Sequence, residues 1–336
     1  MNNLEPLQFH HIPVLSAGVL EYLTFAPDRP ARLIDGTVGG GGHSSMLLER
    51  YPKLELLGID RDDQALAAAA KRLDFASSRV TLVRGNYAEL AAITVEHGWD
   101  SVDGILLDIG VSSPQLDCAD RGFSWRQDGP LDMRMDRRSP LTAGRWLNRA
   151  SENDLIYAFR NYGELNSARR LAAAVIERRE HTPFARTSDL VEIADQVMGR
   201  AKPGKLPHPT LLFQAVRIAV NDELRQLETG LASAVELLNT GGKIAVITFH
   251  SLEDRIVKNF FRDAATGSDN FSFAGRPDRE EFLPGCGNRM HLPAETSGVL
   301  LQPQGDTETC QQKSSLSNRS GSQGKSPIFL RQTAGG

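Results

Sequence analysis

The sequence has few cysteines and no long apolar run. Its three cysteines, Cys118, Cys286 and Cys310, are widely spaced, which argues against a disulfide framework and against a zinc motif. No apolar run approaches the roughly 20 residues that a membrane-spanning helix needs. The N-terminal residues have neither the basic nor the apolar segment of a secretory signal peptide. We therefore expect a cytoplasmic protein with free thiols, no bound metal and no membrane contact.

The chain also lacks an overall basic excess. It carries 38 Lys and Arg against 42 Asp and Glu, for a formal net charge of −4. A nucleic-acid partner would therefore have to meet a local basic patch. The 336 residues, 40% of them hydrophobic, suffice for one large α/β domain with an insertion or for two domains.

What the sequence does contain is a glycine-rich stretch, LIDGTVGGGGHS, at residues 33–44. A short apolar strand ends in Asp35, breaks into glycines and leads into a helix near His43. Open α/β sheets build nucleoside sites in this way, because glycines let the backbone approach a ligand and a helix N-terminus offers unpaired N–H groups. A tight strand–helix turn without a ligand is the alternative interpretation of this stretch alone.

Strands and helices alternate through the first part of the chain and again near residue 243. Apolar runs predict strands over 31–35, 54–60, 79–84, 102–108 and 243–249. Helical spacing predicts helices over 13–23, 44–50, 62–73, 88–97, 213–238 and 251–262. In the last of these we expect Ser251 as the N-cap and Asp254 as the acidic residue of the first turn. This alternation predicts a parallel, doubly wound α/β sheet.

The alternation stops between residues 116 and 223, where the sequence is mainly helical. We expect an inserted helical domain there, which divides the α/β domain into residues 1–115 and 224–262. Residues 119–225 carry 18 Lys and Arg against 14 Asp and Glu, a net charge of +4. The insertion is either a lobe that binds a polyanion or an arginine-rich solvated surface. Residues 263–336 predict a poorly ordered tail with a late strand over 327–332.

The spacing of glycines and carboxylates distinguishes two nucleoside cofactors. The dinucleotide fingerprint G-x-G-x-x-G fits neither register of the turn. Sites for S-adenosylmethionine (SAM) more often begin with an acidic residue followed by spaced glycines, here Asp35, Gly39 and Gly41. Asp60, at the end of strand two, could accept hydrogen bonds from the ribose hydroxyls of either cofactor. Asp108, at the end of strand four, is a carboxylate that methyltransferases use, so the sequence favours SAM.

Residues 104–135, GILLDIGVSSPQLDCADRGFSWRQDGPLDMRM, closely resemble the bacterial RsmH (MraW) family. Further blocks agree in order: HIPVL at 11–15, DGTVGGGGHS at 35–44, GIDRD at 58–62, FQAVRI at 213–218 and TFHSLEDRIV at 248–257. The family contains SAM-dependent enzymes that methylate N4 of a cytosine, cytosine 1402, in the decoding centre of 16S ribosomal RNA. The resemblance implies a Rossmann-like class I SAM-dependent methyltransferase sheet with an inserted all-helical domain.

The resemblance also implies roles for individual residues. The implied cofactor contacts are Gly41, Gly42, His43, Asp60, Tyr87, Asp108 and Gln115. The insertion would recognise the substrate, and the partner would be 16S rRNA within the small ribosomal subunit or its precursor. Asp108 is in addition the best candidate for the catalytic group that accepts a hydrogen bond from the cytosine amino group. The alternative is that Asp108 serves only the cofactor.

The target base must leave its stack of neighbouring bases to reach the methyl group, so polar, basic and aromatic residues after strands four and five are candidates for substrate contact. The candidates are Ser112, Ser113, Arg126, Arg134 and His250, together with Arg121, Phe123, Trp125 and Arg255. Core packing is the alternative for Phe123 and Trp125. For Arg134 the alternative is an ion pair with Asp132 or Asp136.

The chain departs from the family pattern in two places. Residues 208–214, HPTLLFQ, stand where the family usually has an HPATRTFQ-like block, and the C-terminal residues lack a strand that resembles KLRVAE. Two other functions stay open on the sequence: a SAM-dependent methyltransferase for another nucleic acid or an amine, and a non-catalytic RNA-binding factor of ribosome assembly. The sequence predicts no oligomeric state.

Overall fold

The fold is centred on one parallel β-sheet. A computed structural model describes residues 13–199, 206–266, 297–301 and 329–330. Its strands are β1 (Ala31–Asp35), β2 (Leu54–Asp60), β3 (Val80–Arg84), β4 (Val102–Asp108), β5 (Leu238–Ile247), β6 (Ser297–Leu301) and β7 (Phe329–Leu330). They pair in the order β3-β2-β1-β4-β5-β6-β7, and every pair is parallel. The predicted parallel, doubly wound sheet is confirmed.

Helices flank the sheet and fill the long interval between β4 and β5. They are α1 (Ser16–Tyr22), α2 (Gly42–Arg50), α3 (Asp63–Arg72), α4 (Leu90–Glu96), α5 (Ser113–Asp117), α6 (Ala143–Arg149), α7 (Glu152–Asn161), α8 (Ala168–His181), α9 (Thr187–Met198), α10 (His208–Asn221), α11 (Glu223–Leu237) and α12 (Ser251–Thr266). No helix among the described residues is long and apolar enough to cross a membrane.

The central strands are almost continuously apolar because both faces of the sheet are covered. Side chains alternate between the faces: Ile34 and Ile105 belong to one buried cluster, whereas Leu33 and Leu106 belong to another on the opposite face. The helices between β4 and β5 build a third cluster around the fully buried Phe159. The helical region that the sequence predicts is therefore present, with a core of its own.

The predicted single helix over 213–238 is wrong, because the chain breaks into α10 and α11 at Asp222. This residue has the left-handed backbone angle φ 53°. The preceding Asn221 is tied to a distant loop: its side-chain amide donates to the Met133 carbonyl and accepts from the Met135 N–H, both at 2.8 Å. This long-range attachment fixes the end of α10, and the apolar periodicity on either side does not reveal it.

Strand β5 starts earlier than the sequence predicts. Residues 239–242, which precede the predicted strand 243–249, lie inside the strand Leu238–Ile247. The pairing with β4 shifts register there, from Val102↔Leu238 to Gly104↔Lys243. The glycines thus form an irregularity within the strand, which is a common use of glycine in a sheet.

Several sequence predictions fall outside the described residues. They concern the first two residues of the HIPVL block and most of the predicted tail over 263–336. Strand β7 lies within the predicted range 327–332. The division of the chain at residues 116 and 223 into domains stays a prediction.

Candidate active site

Three carboxylates end the central strands on one edge of the sheet. Asp35 closes β1, Asp60 closes β2 and Asp108 closes β4. Strand β1 lies between β2 and β4. The next strands along the chain, β2 and β3, are added on one side of β1, and β4 and β5 are added on the other side. Open parallel sheets bind ligands at such a switch point, in the crevice at the carboxyl ends of the strands. The strand order thus brings all three carboxylates to one crevice.

Backbone hydrogen bonds hold the glycine turn after β1 against both neighbouring strands. The Gly36 N–H donates to the Leu106 carbonyl of β4, and the Val38 N–H donates to the Ile59 carbonyl of β2, both at 2.9 Å. The turn is therefore fixed before any ligand binds, since its direction is set by the sheet itself.

Two of the predicted cofactor residues have to be glycine, Gly41 because of its backbone angle and Gly42 because of close packing. Gly41 has φ 76°, a left-handed angle that residues with a side chain adopt at a cost. A Cβ on Gly42 would lie 2.6 Å from the ring of Pro13. Helix α2 begins at Gly42, so its unpaired N–H groups lie at the carboxyl edge of β1, where an anionic or polar ligand group is stabilised.

Asp60 is poised to receive further hydrogen bonds. One carboxylate oxygen accepts the Gly39 N–H and the other accepts the Asp62 N–H, both at 2.9 Å. Burial raises the pKa of Asp60, and the two backbone N–H groups act against that rise. Each oxygen has a further lone pair, so the carboxylate could accept two ribose hydroxyls without losing its backbone contacts.

Asp35 acts on the turn rather than on a ligand. Its carboxylate, 2% exposed, accepts the Ser44 hydroxyl at 2.6 Å and the Thr37 N–H at 3.2 Å. Burial raises its pKa to about 6, against the effect of those two hydrogen bonds, and nearby Asp60 adds to the rise. Asp35 therefore fastens the start of α2 to the end of β1.

Asp108 lies beside His43, and both were predicted from the sequence. The Asp108 N–H donates to the Thr37 hydroxyl at 2.6 Å, and an Asp108 carboxylate oxygen lies 3.6 Å from His43 Nδ1. His43 Nε2 is 2.7 Å from the Val14 carbonyl, so this nitrogen carries the hydrogen. Burial lowers the pKa of His43, which keeps the imidazole neutral and leaves Nδ1 as an acceptor.

The second oxygen of Asp108, Oδ1, is enclosed and has no hydrogen-bond partner among the described residues. Burial raises the pKa of Asp108 to about 8, and the carboxylates of Asp35 and Glu253 add to that rise. Buried polar atoms without a partner are rare in folded proteins, and each calls for an explanation. Six other side-chain atoms of the described residues share this property, and Asp108 differs from them in its position at the end of β4, beside the glycine turn, where a ligand group could donate to the carboxylate.

Tyr87 and Gln115 are already engaged with the protein. Tyr87 is 4% exposed and its ring packs against Gly230 of α11, and burial raises its pKa. The Gln115 side chain accepts the Ser112 N–H at 3.0 Å and donates to Asp62 at 3.2 Å. The side chains of these two predicted cofactor residues therefore already have partners within the protein.

Arg121, a candidate for substrate contact, is instead part of the wall. It is 5% exposed, and its guanidinium donates to Asp62 at 2.6 Å and to the Arg134 carbonyl at 3.0 Å. Asp62 also caps α3 by accepting the Gln64 N–H. Helix α3, α5 and the loop after α5 are therefore joined through one buried carboxylate.

Arg134 has the ion pair that was its alternative interpretation. Its guanidinium makes two hydrogen bonds to Asp132, both at 2.7 Å, and two more to the Arg137 and Ser139 carbonyls. The Nε–H and Nη2–H groups of Arg134, which could bind a phosphate through two hydrogen bonds, already donate to Asp132. Arg134 thus organises its own loop.

Two aromatic candidates also pack within the protein. Phe123 is 5% exposed, and the indole N–H of Trp125 donates to the Thr210 hydroxyl at 2.9 Å. Arg126 is exposed and lies over the Trp125 ring at 5.8 Å. Arg126 therefore stays available to a ligand in a way that Phe123 does not.

The remaining candidates lie after β4 and β5. Ser112 is exposed and Ser113 is half-buried at the start of α5. The imidazole of His250 is mostly buried, with Nε2 3.1 Å from a Glu253 carboxylate oxygen. Arg255 pairs with Glu164 at 3.3 Å on the surface.

The prediction of Ser251 as the N-cap of α12 is wrong, because the helix already includes this residue, whereas Asp254 lies in the first turn as predicted. The Ser251 hydroxyl donates to Glu164, and Asp254 pairs with Lys258 one turn later. Glu253 takes the capping role instead, because its carboxylate accepts the backbone N–H groups that precede the helix. A carboxylate two residues after Ser251 was visible in the sequence, but its direction depends on the buried site that receives it.

The sequence reasoning missed Thr37, Asp62, Glu253 and Phe249. The hydroxyl of Thr37 connects the glycine turn to β4 at Asp108. Thr37 stands where such turns usually have a glycine, so this departure was the available signal. No cluster of His, Cys, Asp and Glu suited to a metal ion occurs in the part of the chain that the structure describes.

Comparison with known proteins assigns the chain to a family. The model of the MraW methylase family matches residues 8–272, and the chain belongs to this family. A protein of Heliobacterium modesticaldum named ribosomal RNA small subunit methyltransferase H is 50% identical over 296 residues, which is 87% of this chain and 92% of that protein. A protein of the same name from Geotalea daltonii is 49% identical over 261 residues, 77% of this chain and 83% of that one.

The fold itself agrees with this assignment. A SAM-dependent methyltransferase of known structure from Agrobacterium tumefaciens matches with a TM-score of 0.22 and 17% identity over 28% of this chain and 29% of that one, an overlap too small to add to the argument. The parallel sheet, the switch-point crevice and the family match together identify an enzyme of the methyltransferase class.

Proposed function

We propose that this member of the MraW methylase family transfers a methyl group from SAM to N4 of a cytidine in the decoding centre of 16S ribosomal RNA, the position numbered 1402 in the family. The observation that carries the proposal is Asp108, whose enclosed Oδ1 lacks a partner among the described residues at the switch point of the sheet. The reaction would take place in the cytoplasm, on the small ribosomal subunit or its precursor.

The residues around the crevice fit SAM. The N–H groups at Gly41 and Gly42 and the neighbouring His43 would hold the methionine portion, and Asp60 would accept the ribose hydroxyls. The segment that contains Tyr87 and the wall formed by Gln115 would border the adenine. A dinucleotide would need the glycine spacing that this turn lacks.

Asp108 is the group that we assign to the chemical step. SAM supplies an electrophilic methyl group on a positively charged sulfur. Cytosine N4 is a weak nucleophile, because its lone pair is delocalised into the ring. A hydrogen bond from the amino group to Asp108 keeps electron density on N4 while the nitrogen–carbon bond forms and the carbon–sulfur bond breaks. The proton that N4 then loses passes to the Asp108 carboxylate.

The raised pKa of Asp108 makes its ionisation, and therefore its ability to accept a proton, depend on the bound cofactor. A pKa of about 8 keeps the carboxyl protonated at neutral pH in the absence of a ligand. A positive charge close to a carboxyl lowers its pKa. We therefore expect Asp108 to ionise when the cofactor is in place, so that the acceptor is formed only in the complex that can react.

Exposed arginines of the helical region support an RNA substrate. Arg126, Arg149, Arg160 and Arg169 are exposed, and none of them has an ion-pair partner within the described ranges. Unneutralised guanidinium groups attract the phosphate backbone and release its counterions. Other arginines of the region, such as Arg178, are paired with acidic residues.

The test is methyl transfer to small-subunit particles from a strain in which the gene is deleted. We expect 16S rRNA from that strain to lack N4-methylated cytidine, and the purified protein with SAM to restore it. Asp108→Asn should lower the rate by about 100-fold or more, because an interaction made in the transition state is lost. Nucleoside analysis by mass spectrometry measures both results.

Asp263→Asn, which changes a partly exposed carboxylate on α12, is the matched control and should leave the rate unchanged. An unchanged nucleoside profile in the deletion strain would refute the proposed substrate. So would a purified protein that methylates DNA or a small amine and ignores the particles. Full activity of Asp108→Asn would refute the role of Asp108 while leaving the substrate in place.

A further inference from the structure

Phe249 is a large apolar side chain left exposed at the carboxyl edge of the sheet. It lies two residues after the end of β5, and 47% of its surface is exposed. Exposed aromatic rings occur elsewhere in the described chain, at Phe75 and Tyr157. Phe75 precedes β3 and so lies toward the amino edge of the sheet, whereas Tyr157 is on α7. Phe249 is thus the exposed ring beside the switch point.

The position of Phe249 is set by the pairing of β4 with β5. Asp108 is paired with Ile247, and the Ile109 N–H donates to the Ile247 carbonyl at 3.0 Å. The Phe249 ring lies against the loop that follows Asp108. A Cβ added to Gly110 in this loop would be 3.2 Å from the Phe249 ring. Gly110 has φ 116°, so glycine suits both this conformation and the close approach of the ring.

The backbone that carries the ring is fastened by a buried carboxylate. Glu253 is fully buried and accepts the N–H of Phe249 at 2.9 Å and the N–H of His250 at 3.3 Å. Burial opposes ionisation of Glu253, but His250, Arg217 and the Phe249 N–H outweigh it, so its pKa is lowered. An ionised carboxylate accepts both N–H groups more strongly than a protonated one would.

The other aromatic side chains of this edge are committed to packing. Tyr87 and Phe123 are buried, and Trp125 is anchored to Thr210 through its indole N–H. A base that leaves its stack must recover stacking energy in the enzyme. Among the residues that the structure describes at this edge, Phe249 is the ring that remains to supply it beside Asp108.

We propose that the target base stacks on the Phe249 ring, and that Glu253 is the positioning residue that fixes this ring beside Asp108. The proposal rests on the proposed function, because it takes the base whose amino group meets Asp108 as the substrate. Stacking on an aromatic ring favours any base. Selection of the amino group would therefore depend on Asp108, and retention of the flipped base on Phe249.

The first experiment compares Phe249→Ala, Phe249→Leu and Phe249→Tyr. The measurements are kcat/KM for methyl transfer to unmethylated small-subunit particles and the affinity of cytidine for the protein saturated with S-adenosylhomocysteine. Alanine should lower both by about 10- to 100-fold, the usual value of one base–aromatic stack. Leucine should recover little of the loss, and tyrosine most of it. SAM affinity, measured by calorimetry, should not change.

Phe75→Ala is the matched control, since it removes an exposed phenylalanine away from the crevice. It should leave both measurements unchanged. Equal cytidine affinity of wild type and Phe249→Ala would overturn the proposal, as would full recovery by leucine, which has apolar bulk without a ring. Failure of the wild type to methylate the particles would instead refute the proposed function, and the cytidine measurement would still decide the role of Phe249.

The second experiment tests Glu253 as a positioning residue. Glu253→Gln keeps the shape of the side chain and removes its charge. We expect a rise in KM for the particles with a smaller change in kcat, and no further rise when Glu253→Gln is added to Phe249→Ala. Additive effects of the two substitutions on KM would overturn the assignment, because they would show that Glu253 positions the substrate independently of the ring. KM is the deciding quantity because the Glu253 charge also raises the pKa of Asp108 and so affects kcat.

Discussion

The two sides of the switch-point crevice differ in how completely their polar groups are satisfied. On the proposed ribose side, which comprises the glycine turn, Asp60, Asp62, Gln115 and Arg121, the carboxylates already accept hydrogen bonds. On the proposed acceptor side, which comprises Asp108 and Phe249, one carboxylate oxygen has no partner among the described residues and an aromatic ring is exposed.

This difference is the one expected if one side of the crevice binds a small cofactor and the other binds an RNA substrate. A small, invariant ligand is bound best by a site whose groups are fixed in advance, because little ordering remains to be done on binding. An RNA substrate brings its own donors, charges and base surfaces. The groups that meet it have to stay available, at the cost of some stability in the free protein.

The largest expected effect comes from breaking the ribose side. Arg121→Met removes the partner of the buried Asp62 carboxylate, and we expect a loss of about 3–5 kcal/mol in the free energy of unfolding. Arg255→Met removes the surface pair with Glu164 and should cost less than about 1 kcal/mol. Chemical denaturation of both variants measures this difference. Equal losses would contradict a preorganised ribose side.

A substitution on the acceptor side, Asp108→Asn, should instead raise the free energy of unfolding of the ligand-free protein. Between about pH 4 and about pH 8, Asp108 holds a proton in the folded protein that the unfolded chain releases, so its contribution to stability falls as pH rises through this window. Asp108→Asn does not ionise. The ligand-free variant should therefore match wild type near pH 4 and exceed its stability by about 1–3 kcal/mol near pH 9.

Denaturation of both proteins across this pH range checks the expectation. A constant difference between wild type and Asp108→Asn would show that ionisation of Asp108 is not coupled to folding. A variant less stable than wild type at high pH would show that the Asp108 carboxylate has donors in the free protein, which would remove the main contrast between the two sides of the crevice.

The smallest effect per residue is expected from the exposed arginines. Changing Arg149, Arg160 and Arg169 to Gln should leave the free energy of unfolding within about 0.5 kcal/mol of wild type. Affinity for small-subunit particles should fall several-fold at low salt, and the slope of log affinity against log salt should become shallower by about 0.7–0.9 for each charge that contacts phosphate. An unchanged slope would place the RNA elsewhere.

Much of the fold was predictable because it is encoded locally. Apolar runs of strand length and helical periodicity along 31–108 identified the first four strands and the helices between them. The error at Asp222 has a different origin. Apolar periodicity continues on both sides of it, and the break depends on Asn221 reaching the backbone at Met133 and Met135, more than 80 residues earlier in the chain.

The candidate site divides in the same way. The sequence by itself determined the strand ends Asp35, Asp60 and Asp108 and the glycine turn, because residue type and spacing specify them directly. Only the tertiary structure decided which polar groups are already paired: Arg134 with Asp132, Arg121 with Asp62, and Glu253 with the backbone of Phe249. Whether a side chain is buried or open depends on distant segments that pack around it, and local sequence does not carry that information.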